Sequence, residues 1–296
     1  MSEKLLNNRK ALMNIVRRIA QEAGEITLEH YDDAGYFGSV TQKPDGSPVT
    51  EADQEAEALI RQKLTALFPD IPVISEEHEQ SHTSPAGHDY FWLVDPLDGT
   101  ADFMKGSPDF TVNIALIHHN HPVLGVIAAP VHGEIYSGFI DADGTGEALL
   151  WREDSDTEKQ IFTRKPANRG YIVISSKNRP MAGQLDDYLS DYKIDKILRR
   201  SSSLKICLIA SGKADLYPRF GATSEWDSAA GHAILRAAGG DIRTFSGESL
   251  RYGLQKDGFL NPEFVAAPLH FWSDGESEGE HENETGNEAK AANEAD

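Results

Sequence analysis

The sequence predicts an α/β protein with an α+β first half and a second half in which strands and helices alternate. Three observations predict this class. Two N-terminal segments repeat apolar residues at helical spacing, five apolar runs of strand length follow, and from about Ala167 apolar runs alternate with helical patterns. A chain of 296 residues is long enough to bury roughly 75% of its unfolded surface.

The first half opens with two predicted amphipathic helices. One runs from about Lys10 to Tyr31 and the other from about Glu51 to Phe68, because apolar residues return every three or four positions in both. Residues 35–48 between them are rich in Gly, Ser, Pro and Asp, which is typical of a loop.

Apolar runs that follow the second helix predict strands. They lie at residues 72–75, 89–94, 110–117, 123–129 and 134–140. Short polar spacers at 119–121 and 131–133 predict hairpins, and therefore an antiparallel sheet. His118, His119 and His121 lie at the first spacer, where a hairpin turn is favoured over a zinc site.

In the second half the two patterns alternate. Strands are predicted at 171–175, 196–199, 214–217 and 240–245, and helices at 180–192, 203–211 and 226–238. The polar segment from Glu153 to Arg169 separates the halves and predicts units of 1–165 and 166–272. Residues 273–296 have no apolar side chain larger than alanine and a net charge of −8, so we expect a disordered acidic tail, solvated rather than partner-binding.

Composition excludes several classes of protein. The formal net charge of −20 repels the phosphate backbone of nucleic acid polymers, so a DNA-binding role is not expected. The single cysteine, Cys207, has apolar helical neighbours and is predicted to be a small core residue rather than a reactive thiol. The N-terminus lacks the apolar run of a secretory signal, and no stretch is long enough for a membrane span, so we expect a cytoplasmic protein.

Two carboxylates at the end of an apolar run are the most informative feature. Asp95 and Asp98 follow Trp92–Val94 directly, with a proline between them and a glycine after them that allow a sharp turn. The turn can bring both carboxylates and the Leu97 carbonyl to one point. Oxygen ligands without thiolate or imidazole favour Mg²⁺. An ordinary Asp-Gly turn with a capping aspartate is the alternative.

Further residues extend this candidate site. If a helix begins after Thr100, the amides of Gly99 and Thr100 form a phosphate seat at its positive end. Glu76 ends another apolar run, and Asp227 lies at the start of a predicted helix, where an N-cap role is the alternative. Asp53 has the spacing of a capping box and can equally be a helix-start residue.

Four of these motifs, in this order, resemble the inositol monophosphatase superfamily of magnesium-dependent, lithium-sensitive phosphatases. The matching motifs are Ser47–Asp53, Ser75–Glu77, Asp95–Thr100 and Trp226–Gly231. The resemblance covers nearly all of residues 10–268 and implies a layered αβαβα sandwich.

The resemblance also implies site roles. One Mg²⁺ would be held by Glu76, Asp95 and the Leu97 carbonyl, and a second by Asp95, Asp98 and Asp227. Asp53 and Thr100 would orient the attacking water, around a third, weaker ion. Gly99 and Thr100 would join these ligands in binding the phosphate of a small-molecule ester. A peripheral place on the cytoplasmic face of the inner membrane is implied as well, whereas the oligomeric state stays open.

Further segments resemble the bacterial 3'(2'),5'-bisphosphate nucleotidase branch. They are Asp109–Leu116, Ser201–Leu208, Ala214–Gly221 and Phe259–Pro262. The branch implies hydrolysis of the 3'-phosphate of adenosine 3',5'-bisphosphate to AMP. A substrate with a second phosphate needs cations beyond the metals, and Lys205 and Arg219 are the candidates, with structural ion pairs as the alternative. Lys43 can equally reach a phosphate or be a solvated loop residue.

This sequence departs from the nucleotidase branch at two places, and three other functions remain as alternatives. The branch commonly has a lysine where this chain has Ala101, and Ser176-Lys177-Asn178 differs from the expected stretch. The rivals are an inositol monophosphatase or sugar bisphosphatase with the same metal site, an aspartyl-phosphate phosphatase of the haloacid dehalogenase type, and an acidic or metal-binding interaction protein. The haloacid dehalogenase motif is D-x-D-x-T, whereas this chain has D-x-x-D-G-T.

Overall fold

The computed structural model describes residues 2–43, 46–83, 85–177, 182–254 and 258–273. The predicted acidic tail beyond Ser273 lies outside the described residues. The helices are α1 (Ser2–Leu6), α2 (Arg9–Glu29), α3 (Glu51–Leu67), α4 (Thr100–Phe103), α5 (Ala182–Leu189), α6 (Leu204–Ala210) and α7 (Glu225–Ala237).

The strands form a small hairpin, a main sheet and a second sheet region. The hairpin pairs β1 (Val40–Gln42) with β2 (Pro48–Thr50). The main-sheet strands are β3 (Val73–Ser75), β4 (Tyr90–Asp98), β5 (Thr111–His118), β6 (His121–Ala129), β7 (Glu134–Ile140), β8 (Gly146–Arg152) and β9 (Thr157–Gln160). The others are β10 (Tyr171–Ser176), β11 (Ile194–Arg200), β12 (Tyr217–Arg219), β13 (Gly240–Thr244) and β14 (Phe264–Pro268).

The main sheet has its seven strands in chain order, from β3 to β9. β3 and β4 are parallel and the other neighbours are antiparallel. His119 and Asn120 turn between β5 and β6 with φ angles of 49° and 65°. The predicted hairpin at the histidine cluster is therefore confirmed, since a two-residue turn of this kind requires positive φ angles.

The second sheet region is more mixed than the predicted alternation. β10 and β11 are parallel, whereas β14 lies antiparallel between β12 and β13. A parallel bridge from Val173 to Leu216 links the two groups. The strand expected at 214–217 begins only at Tyr217, and β14 was not predicted. The division into units of 1–165 and 166–272 stays a prediction.

Three apolar layers confirm the αβαβα sandwich that the resemblance implied. α2 and α3 pack on one face of the main sheet. α6 and α7 fill the space between its other face and the second sheet region. α5 and a helical turn at residues 270–273 cover the outer face of that region. Cys207 is 0% exposed within the middle layer, and burial raises its thiol pKa, so the predicted core role is confirmed.

A glycine in β6 lets α7 approach the main sheet very closely. A Cβ atom at Gly125 would lie 2.2 Å from the Ala230 carbonyl oxygen. Only a residue without a side chain fits such a gap between strand and helix backbones. The close approach places the N-terminal turn of α7 beside the ends of β3 and β4.

Helix ends differ slightly from the predictions. α2 and α3 match the expected helices within two residues at each end. α5 is shorter than the predicted 180–192, of which residues 180 and 181 lie outside the described part. None of the described helices has the length and apolarity needed to cross a membrane. The implied peripheral membrane association stays a prediction.

Candidate active site

Three carboxylates from three elements meet at one end of the main sheet. Glu76, Asp95 and Asp227 each have a carboxylate oxygen within 4.8 Å of the other two. Glu76 follows β3 and its amide donates to the Val94 carbonyl at 3.1 Å, which places it beside Asp95 in the parallel neighbour β4. Asp227 enters from the first turn of α7. Residues distant in the chain thus form one acidic cluster.

Asp95 is the buried centre of this cluster. It is 1% exposed, and its Oδ1 accepts from the Leu97 amide at 3.0 Å. Its Oδ2 is buried and has no hydrogen-bond partner among the described residues. Burial, together with the charges of Glu76, Asp98 and Asp227, raises the Asp95 pKa well above its ordinary value. A bound cation would interact with this carboxylate oxygen and would offset the repulsion between the neighbouring negative charges. The donor set therefore fits a metal ion.

Asp227 is held by the start of its own helix. Its Oδ2 accepts from the Thr223 hydroxyl at 2.5 Å and from the Ser224 amide at 3.0 Å. It is the third helical residue of a capping box rather than the N-cap itself. Burial, followed by the charges of Asp98 and Glu76, raises its pKa to about 7.

Asp98 and the Leu97 carbonyl lie next to the cluster. The strand pairing of β4 shifts register between Asp95 and Asp98, which is the sharp turn that the sequence predicted. Asp98 Oδ2 accepts from the Ser203 hydroxyl at 2.7 Å. The Leu97 carbonyl oxygen lies 3.2 Å from the Thr100 hydroxyl oxygen.

Asp53 and Thr100 contact each other across 47 residues of chain. The Thr100 hydroxyl donates to Asp53 Oδ1 at 3.1 Å, and Asp53 Oδ2 accepts from the Thr50 amide at 2.9 Å. Asp53 is 0% exposed, and burial raises its pKa although the Thr50 hydrogen bonds oppose the shift. Gly99 precedes Thr100 with a φ angle of 102°, which lets the chain turn from β4 into α4.

A cavity of about 180 Å³ opens beside Asp98 and Asp227, and both predicted cationic residues line it. Lys205 is 7% exposed, donates to the Ser202 carbonyl and lies 5.5 Å from the centre of the Tyr217 ring. Arg219 donates to the Ala222 carbonyl at 2.7 Å, while its buried Nε has no partner in the part of the chain that the structure describes.

Comparisons with known proteins identify the family. The family model described as the inositol monophosphatase family matches residues 8–279. The chain belongs to the inositol monophosphatase family. It is 39% identical over 261 residues to the 3'(2'),5'-bisphosphate nucleotidase CysQ of Buchnera aphidicola, covering 88% of this chain and 95% of the relative. It is 42% identical to the CysQ of Escherichia coli O157:H7, covering 86% and 98%.

Solved structures agree with this assignment. CysQ from Bacteroides thetaiotaomicron aligns with a TM-score of 0.68 and 34% identity, covering 84% of this chain and 94% of that one. An IMPase from Thermotoga maritima aligns with a TM-score of 0.67 at 22% identity, over 89% and 94%, which supports the fold alone. Enzymes of the inositol monophosphatase family are metal-dependent. The acidic cluster of Glu76, Asp95 and Asp227 has the spacing of a group that could hold a metal ion.

Several contacts in this part of the protein were not predicted from the sequence. Lys43 lies 2.6 Å from Glu76 and 2.7 Å from Glu77, so it neutralises part of the acidic cluster. Lys177 pairs with Asp109 at 2.5 Å. The Ser203 contact with Asp98 spans 105 residues of chain, and no local signal could have revealed it.

Proposed function

We propose that this protein is a Mg²⁺-dependent phosphatase that hydrolyses the 3'-phosphate of adenosine 3',5'-bisphosphate to AMP and phosphate. The observation that carries the proposal is the juxtaposition of the acidic cluster with a cavity that contains Lys205 and Arg219. The family and the 3'(2'),5'-bisphosphate nucleotidase relatives at 39% and 42% identity support the same reaction.

The residues that would hold the metals are all oxygen donors. Glu76, Asp95 and the Leu97 carbonyl would bind one Mg²⁺, and Asp95, Asp98 and Asp227 a second, while Asp53 and Thr100 lie where a third, weaker ion would bind. When bound, such ions neutralise charge on the phosphoryl group and make a water nucleophilic. The unpartnered Asp95 Oδ2 and the raised pKa of Asp227 support this ligand set.

Asp53 and Thr100 would orient the attacking water. Because the Thr100 hydroxyl donates to Asp53, its oxygen stays available to accept a hydrogen bond from that water. The water oxygen would then attack phosphorus as the bond from phosphorus to the 3'-oxygen of the ribose breaks, and the proton that the water loses would end on that oxygen as the 3'-hydroxyl. The amides of Gly99 and Thr100 lie at the start of α4, beside the metal ligands, and would bind the phosphate that is transferred.

Lys205 and Arg219 would hold the phosphate that stays on the nucleotide. Both line the cavity that Asp98 and Asp227 border, so one substrate can reach the metals and these cations together. The positive charges of Lys205 and Arg219 would also attract a bisphosphate locally, which the chain's net charge of −20 would otherwise repel.

An inositol monophosphatase or sugar bisphosphatase with the same metal site is the second candidate, because the matching family model is described as the inositol monophosphatase family. A phosphate-release panel with adenosine 3',5'-bisphosphate, inositol 1-phosphate and fructose 1,6-bisphosphate separates the candidates. We expect the nucleotide to have the highest kcat/KM. A clear preference for inositol 1-phosphate or the sugar would overturn the proposal.

A further inference from the structure

Five buried polar side chains form a hydrogen-bonded chain that the reaction above does not use. Each is 8% exposed or less; they are Asp241, His232, Tyr252, Ser228 and Asn261. We call them the α7 relay. Its contacts run from Asp241 Oδ1 to His232 Nε2 (2.7 Å), His232 Nδ1 to the Tyr252 hydroxyl (2.9 Å), that hydroxyl to Ser228 Oγ (3.3 Å), and Ser228 Oγ to Asn261 Nδ2 (2.9 Å).

The relay has one direction of donation, set by its charged end. Asp241 also accepts from the Arg243 side chain at 2.9 Å and the Ser249 hydroxyl at 3.0 Å, so it is an ionised acceptor. His232 Nε2 must therefore carry the proton of the neutral ring, which leaves Nδ1 to accept from Tyr252. The Tyr252 oxygen can then accept from the Ser228 hydroxyl, which also lies 3.3 Å from the Glu225 carbonyl and whose oxygen accepts from Asn261.

The far end of the relay reaches the residues that hold Asp227. The Asn261 side-chain amide donates to the Ser224 carbonyl at 2.7 Å, and its backbone amide donates to the Thr223 carbonyl at 2.9 Å. Thr223 and Ser224 are the two residues that donate to the Asp227 carboxylate. Asn261 therefore fixes both partners of a proposed metal ligand.

We infer that His232 and Tyr252 are positioning residues, which orient Asn261 and through it the Asp227 carboxylate for metal binding. The inference rests on the proposed metal site. A polar network that merely stabilises the core would lower the melting temperature when broken, but would leave the metal affinity of the folded protein unchanged. Residues that orient metal ligands change that affinity, typically by 10- to 100-fold.

Tyr252→Phe tests the relay by removing one hydroxyl. We expect its Mg²⁺ affinity, measured by calorimetric titration of the purified full chain, to fall on the order of tenfold. The Mg²⁺ concentration for half-maximal phosphate release should rise in parallel, and saturating Mg²⁺ should restore kcat. Tyr136→Phe is the matched control, because Tyr136 is also 0% exposed and its hydroxyl donates to Glu134, outside the relay, at 2.7 Å.

Asn261→Asp provides a second test should Tyr252→Phe fail to fold. It keeps the size of the side chain but removes the donor that reaches Ser224 and Ser228, so Mg²⁺ affinity should fall at least as far. Wild-type affinity in the folded variants, or an equal loss in Tyr136→Phe, would overturn the inference. A wild-type protein that binds no Mg²⁺ would instead overturn the proposed metal site itself.

Discussion

The pKa of Asp227 makes the stability of the protein depend on pH. Its folded pKa of about 7 lies above the ordinary 3.8, because burial and then Asp98 and Glu76 disfavour its charge. The folded state therefore holds a proton that the unfolded state releases at lower pH. The resulting stability is complete below pH 4 and is lost as the pH rises through about 7. At the proposed metal site, a bound cation would reverse this loss by pairing with the carboxylate.

Asp227→Asn should abolish phosphate release and flatten this pH dependence. Asparagine keeps the size of the side chain and can still accept from Thr223 and Ser224, while the repulsion with Asp98 disappears. In EDTA at pH 8, we expect a melting temperature equal to or above that of the wild type. Mg²⁺ should raise the melting temperature of the wild type and leave that of the variant nearly unchanged.

Glu225→Gln is the matched control for this substitution. Glu225 is 4% exposed in the same helical turn, and burial raises its pKa to about 7 as well, against a hydrogen bond from the Gly253 amide. We expect this variant to retain most of its activity. Wild-type turnover of Asp227→Asn at limiting Mg²⁺ would contradict the ligand assignment.

Arg219→Ala should change substrate preference rather than chemistry. If Arg219 binds the remaining phosphate, kcat/KM should fall at least tenfold more for adenosine 3',5'-bisphosphate than for a simple monophosphate ester. The ratio of the two kcat/KM values, measured in wild type and variant, checks this. Equal losses on both substrates would contradict a second phosphate site.

The sequence offered candidate ligands for the proposed site, but not the contacts between them. Asp95 and Asp98 follow an apolar run, and their residue types alone indicate oxygen ligation. The contacts of Lys43 with Glu76 and of Ser203 with Asp98 arise between distant segments. Such pairs depend on how the layers stack, which local patterns do not encode.

The proposed site is built from residues at the ends of helices and strands. Asp53 and Asp227 are both third residues of capping boxes, and each accepts a hydrogen bond from the N-cap backbone. The same local geometry therefore stabilises two helix starts and aims two carboxylates. The distance between α7 and the main sheet is set separately, by the close contact between α7 and β6 at Gly125.

Gly125→Ala should displace α7 and harm both stability and activity. The added Cβ would lie 2.2 Å from the Ala230 carbonyl oxygen, so backbone must move. Overpacking of this kind costs about 1–3 kcal/mol, and a shifted α7 also moves Asp227. Gly183→Ala in α5 is the control, since its Cβ would meet no described atom within 4 Å and the change should be neutral or stabilising. Chemical denaturation and Mg²⁺ titration of activity check both variants, and a neutral Gly125→Ala would contradict the packing argument.

Elements with strong periodicity were predictable, and exposed edges were not. α2 and α3 have apolar faces that repeat over several turns, so their spacing predicted them. β9 is exposed at all four residues and offers no apolar alternation to detect. The apolar run of β14 was present in the sequence, but its antiparallel place between β12 and β13 depends on contacts distant in the chain.

The negative charge of the protein is unevenly distributed along the sequence, with a large share in residues 273–296. Residues 273–296 carry −8 of the net −20 and include no apolar side chain that could anchor them. The described chain ends in a turn where Trp272 packs against the Arg243 guanidinium at 4.5 Å. All residues of the proposed site lie before this turn.

Truncation after Trp272 should therefore leave fold and catalysis unchanged. We expect the melting temperature to stay within about 2 °C of the full chain and kcat/KM to stay within experimental error. Because about 1 kcal/mol shifts a domain of this size by roughly 2–4 °C, calorimetry resolves even a weak packed contact. A drop of several degrees would show that the tail stabilises the fold.

The central claim is a metal-dependent cleavage at one phosphate of a bisphosphate. Phosphorus NMR of the products from adenosine 3',5'-bisphosphate tests it most directly, because it distinguishes which ester was broken. We expect AMP with its 5'-phosphate intact and one equivalent of inorganic phosphate in the presence of Mg²⁺, and no conversion in EDTA. Adenosine 3'-phosphate as the product, or equal conversion in EDTA, would contradict it.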